Sequence, residues 1–111
     1  MAVVLGEFEQ LVMLTVLRLG DEAYSAAVRQ ELRDRAGRDV SPGAVFTTLE
    51  RLEDRGLVSS RYGDPTPERG GRRKRYYRLR ADGRRALARS LETVRRAAEG
   101  LEDQLPGLQR P

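Results

Sequence analysis

Between Ser41 and Gly56 the chain encodes one helix with both ends marked, and every other element must be arranged around it. Ser41 is an N-cap. Pro42 follows at the first helical position, where its missing N–H costs nothing, and Gly56 is a left-handed terminator. At about 100° per residue the segment divides into three faces. Val45, Leu49 and Leu52 form an apolar face; Ala44, Thr47, Thr48, Arg51 and Arg55 form a second; Glu50, Glu53 and Asp54, with Phe46, take a third. The acids are largely set apart from the Thr/Arg stripe. A helix that approaches a phosphate backbone needs that separation, because a carboxylate on the approaching face would repel.

Two helices are expected before this one. The first runs from Gly6 to Leu19, and its apolar residues cover most of the circumference, so it must be covered on more than one side. The second is short, capped by Ser25 and stopped by Gly37, with Ala27, Val28 and Leu32 inward. After Gly56 come two strands, Leu57 to Tyr62 and Arg75 to Arg80, the latter with Tyr77 and Leu79 inward. Their connection, Gly63 to Lys74, carries Pro65, Pro67, Gly70 and Gly71, which are turn residues. A last helix is expected from near Asp82, ending by Leu105 because Pro106 cannot continue it. Leu87, Leu91, Val94, Ala98, Leu101 and Leu105 alternate at spacings of four and three, a heptad seam. A lone helix at the edge of a small domain cannot leave such a seam in water. Either it folds back on its own domain or, the better reading, it is buried against a second copy, where the first helix with Phe8 and Leu11 exchanges partners with it.

At 111 residues the chain has room for one domain. Cys and His are both absent, which excludes disulfides, soft-metal sites and imidazole catalysis, and no cofactor is expected. The net charge of +4 hides an asymmetry: residues 61–85 hold ten basic residues against three acids, net +7, and the rest holds eleven against fourteen, net −3. One basic stripe on an otherwise mildly acidic chain is a footprint for a polyanion. The stripe lies at the tip and outgoing arm of the hairpin rather than on a tail. The apolar start carries Glu7 and Glu9 without an early basic cluster, so no targeting segment is expected, and no apolar run approaches the ~20 residues of a spanning helix. A cytoplasmic location with no membrane partner follows as the expectation.

The order helix, helix–turn–helix, β-hairpin, helix describes a mostly α fold with a small β-hairpin: a winged helix–turn–helix over residues 1–80, a C-terminal dimerisation helix over 81–105 and a frayed tail over 106–111. In such a fold the third helix enters the major groove of double-stranded DNA and the hairpin flanks it. Ser41, Gly43 and Ala44 open that helix, where free amides favour a phosphate. Thr47, Thr48 and Arg51 are candidates for base contacts, since Arg forks onto guanine and a Thr methyl meets a thymine methyl. Arg72, Arg73, Lys74 and Arg75 form the wing's phosphate clamp, with Arg69 directed at a minor groove.

The stretches "LGEFEQLVMLTVLRLGDEAY", "DVSPGAVFTTLERLEDRGLV" and "PERGGRRKRYYRLRADGRRAL" resemble the PadR family of bacterial transcriptional regulators, in its compact form with a single C-terminal helix. The resemblance spans about Leu5 to Leu101. It implies a homodimer on a near-palindromic operator, acting as a repressor, with the space between the first and last helices of the dimer open to a small-molecule effector. The chain departs from the family pattern with Phe46 for Tyr, Ser25 for Gly, and Arg80-Ala81 for Thr-Pro. Two other classes compete with this reading. A winged-helix protein–protein module would share the fold but would not need acids set apart from the Thr/Arg stripe. An enzyme would need a base or oxyanion donor beside neighbouring acids such as Glu7 and Glu9, and none is in view.

Overall fold

A computed structural model describes residues 3–64 and 73–108. Helix α1 spans Glu7–Leu19, α2 Ser25–Ala36 and α3 Pro42–Asp54; strands β1 (Val58–Tyr62) and β2 (Arg75–Leu79) follow, and α4 spans Ala81–Ala98. Among the described residues no helix is long and apolar enough to cross a membrane.

Local signals account for most of these boundaries. Glu9 reaches back to accept the Gly6 amide at 2.9 Å, half of a capping box at the start of α1. Gly37 ends α2 at φ +66° and Gly56 follows α3 at φ +75°, both in the left-handed region that glycine enters without steric cost. Ser25 is not the cap of α2 but its first residue. Tyr24 precedes it in extended backbone because it forms an antiparallel bridge with Tyr76, so helical geometry cannot begin earlier.

The strands pair antiparallel, with Val58 opposite Leu79, Ser60 opposite Tyr77 and Tyr62 opposite Arg75. Leu57, expected to open β1, instead ties three elements together. Its amide donates to Leu52 at 3.0 Å and its carbonyl accepts from Arg80 at 2.9 Å. The hairpin is fastened to the helices on the other side by Tyr77, whose amide donates to Ala23 at 2.8 Å.

The core sits where α1, α2 and α3 meet the hairpin. Val12, Met13 and Val16, Val28 and Leu32, and Val45, Leu49 and Leu52 are all buried, closed below by Val58, Tyr77 and Leu79. Each fully buried aliphatic side chain contributes roughly 1.5–3 kcal/mol. α4 joins this core only through its first two turns, where Gly83, Ala86 and Leu87 are buried. Gly83 lies so close to the Leu57 backbone that a Cβ would stand 2.1 Å from the Leu57 oxygen. Glycine is therefore what allows α4 to seat.

The last helix is shorter than its heptad spacing predicts. It ends at Ala98, and Gly100 at φ +85° turns the chain into a single 3₁₀ turn over Glu102–Gln104. Leu101 and Leu105 therefore lie beyond the helix. The seam divides by role as well. Leu87 is 3% exposed in the chain's own core and is not available to a second copy, whereas Leu91, Val94, Leu101 and Leu105 are exposed and Ala98 is half-buried. Phe8 and Leu11 are partly buried against their own core, while Leu14 and Leu17 are the apolar residues that α1 leaves to solvent.

Candidate nucleic-acid interface

The outward side of α3 is built from its first two turns. Ser41 caps it by accepting the Ala44 amide at 3.1 Å. This cap spends a donor that the sequence assigned to a phosphate. Ala44 itself is exposed, but its N–H is occupied, and the free amide of the first turn is that of Gly43, beside which there is open space. Thr47 and Arg51, one turn apart, are both exposed, and Arg51 has no carboxylate partner among the described residues. Phe46 is exposed beside Thr47, a large apolar ring that the core does not claim.

Two members of the predicted stripe are engaged elsewhere. Thr48 is 5% exposed, packed on the same side as Val45, Leu49 and Leu52, so it leaves the contact set. At 100° per residue it stands only 60° from Val45, within the reach of the core. Arg55 is spent on α1 and the N-terminal arm: one guanidinium nitrogen meets Glu9 of α1 at 3.0 Å and another donates to the Val4 carbonyl of the arm at 3.0 Å.

The wing divides in a similar way. Arg73 and Lys74 are exposed at its base, and Lys74 Nζ rests 4.3 Å from the centre of the Tyr24 ring. Arg69 and Arg72 lie outside the described residues. Arg75 is not part of a clamp open to phosphate. Its Nη1 donates to Glu50 at 3.1 Å, its Nη2 to Glu53, and its Nε to the Ser60 hydroxyl at 3.0 Å. Burial works against its charge, but the Tyr77, Glu50 and Glu53 oxygens outweigh burial and raise its pKa. Tyr77 lies under this group, with the Arg75 guanidinium 5.3 Å from its ring centre. Burial pushes the Tyr77 hydroxyl pKa up, and that hydroxyl has no hydrogen-bond partner among the described residues.

Sequence reasoning missed what holds the wing and the turn in place. Tyr24 and Tyr76 meet edge to face at 5.7 Å, and Arg61 stacks on Tyr76 at 5.0 Å. Arg29 on α2 donates to the Val40 carbonyl at 2.6 Å, closing the turn before α3. Nothing local in the sequence pairs positions 24 and 76. The arrangement as a whole offers an exposed helix start, an unpaired arginine and a cationic hairpin base along one molecule.

Comparison with known proteins places this geometry. The model of the transcriptional regulator PadR-like family matches residues 13–89. The chain is 41% identical over 92 residues to the transcriptional regulator Rv3488 of Mycobacterium tuberculosis, covering 78% of this chain and 79% of that one. Among solved structures it is similar to a PadR family transcriptional regulator from Eggerthella lenta, with a TM-score of 0.67 and 27% identity over 92% of this chain and 88% of that one. A PadR family regulator from Clostridium difficile shares the fold with a TM-score of 0.70 and 22% identity, covering 88% and 98% of the two chains.

Proposed function

Because the chain belongs to the PadR-like family of transcriptional regulators, we propose that it binds a near-palindromic operator in double-stranded DNA as a homodimer and represses transcription from it. The observation that carries this reading is the exposed start of α3: Ser41, Gly43, Ala44, Thr47 and Arg51 lie together on the outer side of a helix whose opposite side is core. In this reading Thr47 and Arg51 meet base edges, the Gly43 amide meets a phosphate, and Arg73 and Lys74 hold the backbone beside the groove.

Dimerisation is supported by α4. From Ala88 onward the helix projects about 16 Å past its own core, with Leu91 and Val94 exposed along it. A second copy of α4 and the free edge of α1 at Leu14 and Leu17 would bury those side chains. Between the N-terminal arm and α4 lies a groove of about 290 Å³ lined by Val3, Val4, Leu5, Gln10, Arg89, Ser90, Thr93 and Val94. A small apolar effector seated there would lie against the projecting helix and alter the spacing of the two α3 helices.

The test is selection of bound duplexes from a random-sequence pool. The reading expects a motif with two-fold symmetry and half-sites about one helical turn apart. An asymmetric motif would remove the homodimer, and no enrichment at low salt would leave the winged-helix protein–protein module as the explanation.

A further inference from the structure

Arg75 sits in the sequence as the last member of the run Arg72, Arg73, Lys74, Arg75, and composition alone counts it with the phosphate ligands. The structure gives it a different set of partners. All three guanidinium nitrogens are engaged, on Glu50, Glu53 and Ser60, and Ser60 in turn donates to Glu53 at 2.7 Å. Two strands of the wing and two turns of α3 are joined through this one side chain.

The two carboxylates explain why that matters. The buried side of α3 is centred on Val45, Leu49 and Leu52. By helical rotation the side opposite carries Gly43, Thr47 and Asp54, with Glu50 about 60° from Thr47 at the edge of the approaching face and Glu53 further round toward the wing. Arg75 thus offsets one of these two negative charges where they stand, while Asp54, exposed two turns beyond Thr47, is outside the cluster. We infer that Arg75 is a positioning residue for DNA binding: it masks Glu50 and Glu53 and fixes the distance from the wing to α3, and it does not contact phosphate. This rests on the DNA-binding reading above.

The test measures affinity for the duplex enriched in the selection, by fluorescence anisotropy across a salt series. Unmasking one net charge within about 10 Å of a phosphate, at an effective dielectric of about 20–80, weakens binding by roughly 2- to 20-fold. Arg75→Gln is expected to show that loss with the slope of log affinity against log salt unchanged, because no phosphate contact has been removed. Arg75→Gln combined with Glu50→Gln and Glu53→Gln should bind more tightly than Arg75→Gln alone, since the charges that needed masking are gone. A slope reduced by about 0.9 in Arg75→Gln, the signature of one lost phosphate contact, would overturn the inference. So would a triple variant no tighter than the single one. Should Arg75→Gln lack a cooperative melting transition, the double variant Glu50→Gln/Glu53→Gln with Arg75 intact decides: binding at least as tight as wild type supports masking, and weaker binding overturns it. A wild-type protein that binds no duplex removes the DNA-binding reading itself, a result distinct from any of these.

Discussion

Replacing Gly83 by Ala is the sharpest perturbation the fold offers. On an exposed helix this change stabilises by up to about 1 kcal/mol through helix propensity. Here the new Cβ would lie 2.1 Å from the Leu57 oxygen and 3.0 Å from the Leu57 carbonyl carbon, with the Met13 methyl at 3.3 Å. Two of these contacts are backbone and cannot rotate away. The first turn of α4 must therefore retreat by about 0.9 Å merely to restore 3.0 Å to that oxygen, the difference of the two distances. Retreat stretches the Arg80 to Leu57 hydrogen bond and loosens Ala86 and Leu87. Overpacking costs about 1–3 kcal/mol and the weakened hydrogen bond about 1 kcal/mol, so after the propensity gain a loss of roughly 1–3 kcal/mol remains. For a domain of this size that corresponds to a fall in Tm of about 4–15 °C. The assay is thermal melting by circular dichroism at fixed protein concentration, because under the proposed dimerisation Tm would depend on it. Gly43→Ala on α3 is the control: it meets open space and should leave Tm unchanged or slightly raised. A Gly83→Ala protein as stable as wild type would refute the argument that α4 seats through that contact.

Thr48→Ala should lower Tm, by the ~0.8 kcal/mol of one buried methyl, and leave the selected DNA motif intact, whereas Thr47→Ala should change the motif with stability unaltered. Val94→Glu should yield a folded monomer in sedimentation, while Leu87→Ala should destabilise the protomer itself by about 2–5 kcal/mol in urea titration. Tyr77→Phe should be neutral or stabilising by up to ~1 kcal/mol at neutral pH, because the hydroxyl it removes is buried without a partner among the described residues. Its pKa in the folded state is raised by burial, so the stability that comes from the neutral ring is complete below the unfolded value near ~10 and is lost as pH rises through the folded value. Alkaline unfolding followed by circular dichroism should accordingly begin at higher pH in Tyr77→Phe.

The sequence was most readable where structure is decided by neighbours along the chain. Ser41, Pro42 and Gly56 delimit α3 through capping chemistry alone, and the alternation of Tyr77 and Leu79 identifies the inner face of β2. It was least readable where a distant partner decides. Thr48 and Arg55 share a stripe with Arg51 on a helical wheel, but a wheel does not show how far the core or the N-terminal arm extends around α3. Arg75 reads as one more cation of a run until Glu50 and Glu53 are brought to it from another element. The heptad spacing carries on to Leu105, but the backbone does not, because Gly100 interrupts the helix that the spacing assumes.

The N-terminal arm has a mechanical consequence. Val4 gives its carbonyl to Arg55 just past the end of α3, and the same few residues, Val3 to Leu5, form one wall of the groove beside α4. Leu5 is also buried and accepts a bond from Gln10 at 2.9 Å, which leaves the arm little slack. Pressure applied in that groove is therefore felt by the tail of α3 across a span of one or two residues, with no need for the core between them to deform.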